Sequence, residues 1–231
     1  MRSMAFDFMR PRPALRHLLA TLCLALLPAI SWAAPFAYIA NFSDDNVSVI
    51  DTASNTVTAT VAVGVNPRGV SVNPAGTRVY VVNQFGNSVS VIDTTTNTVV
   101  ATVALGNPLV GVAVNPAGTR AYVTHLVGTV SVIDTTTNTV TATVTVGGGP
   151  HGVAVNPAGT RVYAAIQGGN SVSVIDTASN TVAATVPVGT RPRGVAVNPA
   201  GTRVYAPNYD SNTLSVIDTT TNTVTATVTV G

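Results

Sequence analysis

The chain has 231 residues, a formal net charge of +2 and a single cysteine. Four of its eleven arginines and one of its nine aspartates precede residue 34, which leaves seven arginines and eight aspartates after that point, with no lysine, glutamate or cysteine. Because no cysteine follows residue 34, disulfides and thiolate metal sites are excluded in that part of the chain. It also lacks the excess of positive charge that would attract nucleic acid or an anionic membrane.

Residues 1–33 have the composition of an export signal. Four arginines precede a short apolar run from Leu18 to Ile30, and Ser31-Trp32-Ala33 supplies small residues at the positions that a signal peptidase recognises. The run is too short for a comfortable membrane span, which needs about 20 residues, and Leu22 before Cys23 disfavours a lipoprotein signal. We expect cleavage after Ala33 and an exported protein, in the periplasm or at the cell surface. The alternative is an uncleaved anchor.

Two motifs repeat along the rest of the chain. S-V-I-D-T occurs five times, and its aspartates are spaced by 42, 41, 42 and 42 residues: Asp51, Asp93, Asp134, Asp176 and Asp218. N-P-A-G-T-R starts with the same period at Asn73, Asn115, Asn156 and Asn198. A fixed period of this length indicates that one structural unit is copied.

Residues 111–146 represent one repeat. Short β-branched runs alternate with turn-forming clusters, which predicts four strands: near Gly111 to Val114, Arg120 to Thr124, Thr129 to Ile133 and Thr139 to Val146. In N-P-A-G-T the proline fixes its own φ and the glycine tolerates positive φ, whereas the aspartate and asparagine of D-T-T-T-N can bond local amides. No segment after residue 34 has the periodicity of an amphipathic helix.

Four short strands in every 42 residues predict an all-β protein, a β-propeller of about five four-stranded antiparallel blades. We place the propeller in residues 34–231, with blades at approximately 36–64, 65–106, 107–147, 148–189 and 190–231. The first blade begins in its second strand and so lacks an innermost strand. Three interpretations stay open: a tight five-bladed ring, an arc that needs a partner, and a shortened copy of a longer protein. A parallel β-helix is the competing fold, although its long coils fit regular Pro-Gly hairpins less well.

The repeats resemble a known family. Y-V-V-N at Tyr80 to Asn83 and Y-V-T-H at Tyr122 to His125, together with the two repeated motifs, are similar to the YVTN-type β-propeller repeats of microbial surface-layer and periplasmic proteins. The resemblance covers essentially all of residues 36–231. It implies export, a ring commonly of seven blades, and a ligand-binding or scaffold role, but no particular chemistry. Five blades are fewer than that common pattern has.

Comparison of the repeats with one another separates two rims of the propeller. The N-P-A-G-T-R and D-T-x-x-N-T turns barely change and share one rim, the constant rim. The loops between the second and third strands and the loops leading into the innermost strands vary, and they share the opposite, variable rim, where we expect a binding site. The candidate ligand-binding residues are Arg68, His151, Arg191, Arg193, His125, Asn83, Phe85, Asn208 and Tyr209.

The arginines and His151 predict a cationic mouth to the central channel, beside Leu109 and Val110 of another blade. Arginine there would hold a carboxylate or phosphate. The alternative is that these are solvated charges balanced by three nearby aspartates, Asp44, Asp45 and Asp210. The repeated aspartates, and repeated arginines such as Arg78, fit structural roles because each lies in the same turn context.

The favoured function is a non-enzymatic exported binding or scaffold module whose partner is a protein, a glycan or a small anionic ligand. His125 and His151 are the only histidines after residue 34, and no metal, cofactor or catalytic motif accompanies them, so we predict no metal, no cofactor and no catalytic residue. One alternative is a lactonase-like or other propeller hydrolase with a His/Asp or metal site at the channel mouth. Another is a periplasmic binder of single-stranded nucleic acid, for which only Phe42, Phe85 and Tyr209 are stacking candidates.

Overall fold

The computed structural model describes residues 36–230, whose regular elements are β-strands in five antiparallel sheets. The first sheet has three strands and the other four have four each, which confirms the predicted fold class. The export signal predicted in residues 1–33 lies outside the described residues. Within the described range no helix is long and apolar enough to cross a bilayer.

The strands follow one another in chain order within each sheet. The first sheet contains β1 (Phe36–Asn41), β2 (Asn46–Asp51) and β3 (Thr56–Ala62). The second contains β4 (Pro67–Val72), β5 (Arg78–Asn83), β6 (Ser88–Asp93) and β7 (Thr98–Ala104). The third contains β8 (Leu109–Val114), β9 (Arg120–His125), β10 (Thr129–Asp134) and β11 (Thr139–Thr145). The fourth contains β12 (Pro150–Val155), β13 (Arg161–Ile166), β14 (Ser171–Asp176) and β15 (Thr181–Pro187). The fifth contains β16 (Ala196–Val197), β17 (Arg203–Asn208), β18 (Thr213–Asp218) and β19 (Thr223–Thr229).

The innermost strands differ most from their predicted bounds. β8 begins at Leu109, two residues before the predicted start, because Leu109 pairs with His125 across a register shift that precedes the regular pairing of Val112 with Val123. In the fifth sheet the innermost strand shrinks to two residues, and Pro192 pairs with Asn208 only as an isolated bridge. The first sheet has no innermost strand among the described residues, as expected.

Successive sheets pack face to face through four clusters of buried side chains, and each cluster joins two neighbouring sheets. The same two faces meet every time. One sheet contributes a tyrosine and the alternating valines of its third strand, such as Tyr80, Val89 and Val91, and the next contributes residues such as Val123 and Ile133. The three middle sheets therefore bury both faces, which explains why Val, Ala and Thr occupy both sides of their strands.

The first and fifth sheets each bury only one face in this way. On the fifth sheet Leu214 and Val216 are only partly buried, although their equivalents Val172 and Val174 in the fourth sheet are fully buried. On the first sheet Ile39 is exposed, whereas its equivalent Val81 is buried. Within residues 36–230 no buried cluster joins the first sheet to the fifth.

The innermost strands approach one another so closely that glycine is required. A Cβ atom at Gly111 would lie 2.7 Å from the carbonyl oxygen of His151 in the next sheet. Gly69 stands in the same relation to Val110, and Gly152 to Arg193. Backbone contact therefore positions the residue that precedes each glycine next to its equivalent in the neighbouring sheet.

Candidate functional site

The constant rim is held by hydrogen bonds to the repeated aspartates. Asp93 Oδ1 accepts from the backbone N–H groups of Thr95 and Thr96 at 2.8 and 3.1 Å, and its Oδ2 accepts from Arg78 Nη1 at 2.5 Å. The backbone donors hold the pKa of this carboxyl below its usual value, and the same holds for Asp134, Asp176 and Asp218. These contacts support the structural interpretation of the repeated aspartates.

On the variable rim the two classes of loop are hydrogen-bonded to each other. Gln84 N donates to Asn66 O at 2.9 Å, and Tyr209 N donates to Arg191 O at 3.1 Å. Asn66 also reaches the loop of the first sheet, since its backbone N–H donates to Asp45 Oδ1 at 2.7 Å. The variable loops are therefore joined within and between sheets, and they present their side chains from a fixed backbone.

Four of these side chains occupy one equivalent position. Arg68, Val110 and His151 each precede the close-approach glycine of an innermost strand, and Arg193 precedes the corresponding Gly194, outside the two-residue strand β16. The backbone contacts of Gly69 with Val110, of Gly111 with His151 and of Gly152 with Arg193 place these four positions next to one another from sheet to sheet. Three of the four are basic residue types.

His151 lies at the centre of this group. Burial lowers its pKa first, and the positive charges of Arg68, Arg193 and Arg191 lower it further. When the Gln167 amide is assigned from the hydrogen-bond network, its nitrogen donates to His151 Nε2 at 3.0 Å and its oxygen accepts from Arg191 Nη2 at 2.8 Å. Burial and the neighbouring guanidinium charges thus both favour the neutral form of the His151 imidazole.

The expected balancing of these charges by aspartates holds for one arginine. Arg191 forms an ion pair with Asp210 at 3.3 Å. Arg68 instead donates to the neutral Oε1 of Gln84 at 3.1 Å, and the Arg193 guanidinium lies 4.0 Å from the ring centroid of Tyr209. Within the described range neither Arg68 nor Arg193 has a carboxylate partner, so the site keeps two unneutralised positive charges.

An open groove of about 600 Å³ adjoins the site on the fifth sheet. Arg193, Tyr209 and Val230 are among the residues that line the groove. A cation beside an exposed aromatic face gives the groove a charged and an apolar side. This geometry suits a small anion better than an uncharged polar molecule.

Three residues predicted for the site are buried within the sheets. Asn83, His125 and Asn208 are buried at equivalent strand ends. Asn83 Nδ2 donates to the hydroxyls of Ser88 and Ser90 at 3.0 and 2.9 Å, and His125 Nε2 contacts Ser131 Oγ at 2.8 Å. The alternating serines of S-V-S could have indicated this buried hydrogen-bonding role in the sequence, because they face the same side of the sheet as the strand-end asparagine.

Phe85 and Tyr209, which are also candidates for the site, are exposed. Gln84 and Gln167, which hold Arg68 and Arg191, were missed because nothing in the repeat marks them. Across the described residues no group of three His, Cys, Asp or Glu side chains is arranged to hold a metal.

Comparison with known proteins identifies related folds. The family model described as lactonase, 7-bladed β-propeller, matches residues 111–230. Hydrazine synthase from Kuenenia stuttgartiensis is similar with a TM-score of 0.74 and 26% identity, over 81% of this chain and 60% of that one. A functionally unknown protein from Desulfotomaculum acetoxidans is similar with a TM-score of 0.71 and 17% identity, over 78% of this chain and 61% of that one. This chain thus spans about three-fifths of the length of each solved structure. No match was found among curated proteins.

Proposed function

The chain belongs to the lactonase, 7-bladed β-propeller family, and we propose that it is an exported binding module which uses this fold to hold a small anionic ligand. The ligand's charged group lies between Arg68 and Arg193 on the variable rim. Export rests on the composition of residues 1–33, and no catalytic step is needed for this role.

One observation carries the proposal: Arg68 and Arg193 have no carboxylate partner among residues 36–230, yet both are close enough to His151 to lower its pKa. The paired arginines of the constant rim contrast with them, since Arg78 and Arg203 each contact an aspartate. Unneutralised guanidinium groups that both act on His151 favour a carboxylate or phosphate, which accepts hydrogen bonds from arginine in a bidentate manner.

Hydrolysis of a lactone is the second candidate, and the family match favours it. In that case neutral His151 would be the general base that activates water, because a lowered pKa leaves the imidazole unprotonated at neutral pH. Binding of single-stranded nucleic acid has less support. Arg193 already covers a face of Tyr209, and the Phe42 and Phe85 rings meet at 70° and do not form a parallel stacking surface.

The test is an NMR titration of the purified protein with acetate, phosphate and citrate. We expect saturable binding, with Arg68→Gln and Arg193→Gln each weakening affinity about tenfold because each removes a charge-assisted hydrogen bond. Arg203→Gln is the matched control, since Arg203 is ion-paired to Asp218 on the constant rim. Equal affinities in all four proteins would overturn the proposal.

The hydrolase candidate is tested on the same variants with a pH-stat assay of lactone opening. Activity that is lost in His151→Ala and kept in Arg78→Ala would establish hydrolysis at this site. No activity above the uncatalysed rate in the unmodified protein would leave binding as the function.

A further inference from the structure

Two phenylalanines form an exposed pair beside the cationic site. The ring centroids of Phe42 and Phe85 lie 6.4 Å apart with an interplanar angle of 70°, an edge-to-face contact. The side chains come from the loops of the first and second sheets, and they remain 42% and 57% exposed. The pair therefore leaves much of its apolar surface in water, at a cost in free energy.

The fold does not require aromatic residues at these two positions. The repeats supply the comparison: the residues equivalent to Phe42 are Gln84, Leu126, Gln167 and Tyr209, and those equivalent to Phe85 are Ser43, Val127, Gly168 and Asp210. In the fourth sheet the same hairpin folds with Gln167 and Gly168 at these positions. Since the hairpin of the fourth sheet forms without aromatic residues, the exposed apolar surface of the pair is available to a ligand.

The backbone beneath the pair is fixed by hydrogen bonds. Asn66 adopts a left-handed conformation with φ of 53°, and its Nδ2 donates to Phe42 O at 2.9 Å. Gly86 N donates to Val65 O at 3.1 Å, and Val65 is itself exposed. Phe42, Val65 and Phe85 thus form an apolar surface held across two sheets, which we name the aromatic ledge.

The aromatic ledge adjoins one of the two unneutralised arginines. Arg68 follows Asn66 by two residues, and its guanidinium donates to Gln84, the neighbour of Phe85. The apolar surface and this guanidinium are therefore linked through the adjacent residues Gln84 and Phe85. Charge complementarity and apolar area then select one class of ligand.

We propose that the ligand is an amphipathic acid, an aryl or acyl carboxylate whose charged group lies at Arg68 and whose apolar group lies on the aromatic ledge. This inference rests on the proposed function, because the carboxylate occupies the anion site described above. An acidic sugar fits less well, because rings at 70° to each other do not offer the flat platform on which a sugar stacks.

The experiment compares four probes by NMR titration, which measures millimolar as well as micromolar dissociation constants. Propionate has the carboxylate without the ring, and 3-phenylpropan-1-ol has the ring without the carboxylate. 3-Phenylpropionate has both groups, and glucuronate represents an acidic sugar. We expect 3-phenylpropionate to bind about tenfold or more tightly than propionate, because the ring buries apolar area on the ledge. We expect 3-phenylpropan-1-ol and glucuronate to bind no more tightly than propionate.

The variants separate the ledge from the anion site. F42A/F85A should reduce the affinity for 3-phenylpropionate to that for propionate and leave propionate unchanged, whereas Arg68→Gln should weaken both acids. Val127→Ala is the matched control: it removes an exposed apolar side chain at the position equivalent to Phe85 in the third sheet and should change neither.

Two results would overturn the inference: equal affinities of the unmodified protein for the two acids, or an unchanged ratio of affinities in F42A/F85A. Tighter binding of glucuronate than of 3-phenylpropionate would also overturn it, in favour of an acidic sugar. If acetate, phosphate, citrate and both acids all fail to bind, the anion site itself is absent. That failure contradicts the proposed function as well and is distinguishable from a failure of the ledge alone.

Discussion

Val186 and Val228 occupy equivalent positions on the outer strands of the fourth and fifth sheets, yet the first is 2% exposed and the second 47% exposed. Val186 packs in the cluster that joins the fourth sheet to the fifth. Val228 lies on the same face of its own sheet, where residues 36–230 supply no further sheet. The two residues therefore have the same side chain and the same position in their strands, and they differ in burial.

Val186→Ala and Val228→Ala should consequently differ in their effect on stability. We expect Val186→Ala to lower the free energy of unfolding by about 2 kcal/mol, because it removes buried methyl groups and leaves a cavity. Val228→Ala should cost about 0.5 kcal/mol or less, as is usual for exposed sites. Guanidinium unfolding curves of both variants measure the difference. Equal losses would mean that the face bearing Val228 is covered in solution.

The close approach of the innermost strands predicts a second contrast. Gly111→Ala should destabilise the protein by about 2 kcal/mol, since its new methyl group would meet the His151 carbonyl oxygen at 2.7 Å. Gly148→Ala is the matched control, because no atom lies within 4 Å of a Cβ placed there. Thermal unfolding of both variants provides the measurement. A Gly111→Ala protein as stable as Gly148→Ala would show that the inner strands can move apart.

The architecture was predictable from the sequence because each repeat carries its own turn chemistry. Asp93 with its following threonines and Gly76 in N-P-A-G-T-R determine where the strands end, and these are local interactions. The roles of Asn83 and His125 were not predictable in the same way. Both stand at the junction of a strand with a variable loop, and only the register with Ser90 and Ser131 shows that they point into the sheet packing.

The sequence was sufficient to predict which residue types occur in the candidate site. It was not sufficient to predict which of the arginines form ion pairs with carboxylates. A repeat comparison identifies Arg68, Arg191 and Arg193 as basic residues in variable loops. It does not distinguish Arg191, which pairs with Asp210, from Arg68 and Arg193, which do not pair with a carboxylate in the described range. That distinction depends on distances between loops some twenty residues apart in sequence.

Asn83 should contribute to stability and not to ligand binding. Asn83→Ala removes bonds to Ser88 and Ser90 and the acceptor of the Gly64 N–H, so we expect a loss of about 2–3 kcal/mol in the free energy of unfolding. Asn41→Ala makes the equivalent change in the first sheet, where the side chain is only partly buried and water can replace its partners. Its loss should be smaller. Weaker anion binding by folded Asn83→Ala would contradict the structural assignment.

The histidines predict the pH dependence of stability. Burial lowers the pKa of His125 and of His151 below the ordinary value of about 6.5, so the unfolded chain takes up protons at a higher pH than the folded protein does. Stability is therefore full above about pH 6.5 and falls as the pH drops below it. Urea unfolding at pH 7.5, 6 and 5 measures the slope.

His125→Asn tests the source of that slope. Asparagine already occupies the equivalent position at Asn83 and Asn208, so the variant should fold. We expect it to reduce the loss of stability between pH 7.5 and pH 5, and the double variant with His151→Asn to remove most of it. An unchanged slope in the double variant would place the proton uptake elsewhere.

The four interfaces between sheets are made from the same two faces, and this affects how the number of repeats can change during evolution. Because every junction has the same chemistry, a duplication or deletion of one 42-residue unit in the gene would place a new junction of the same kind where the old one was. No compensating mutation in the packing would be needed. Recombination between nearly identical repeats can thus alter the size of the protein in one step, while the loops that determine binding diverge independently.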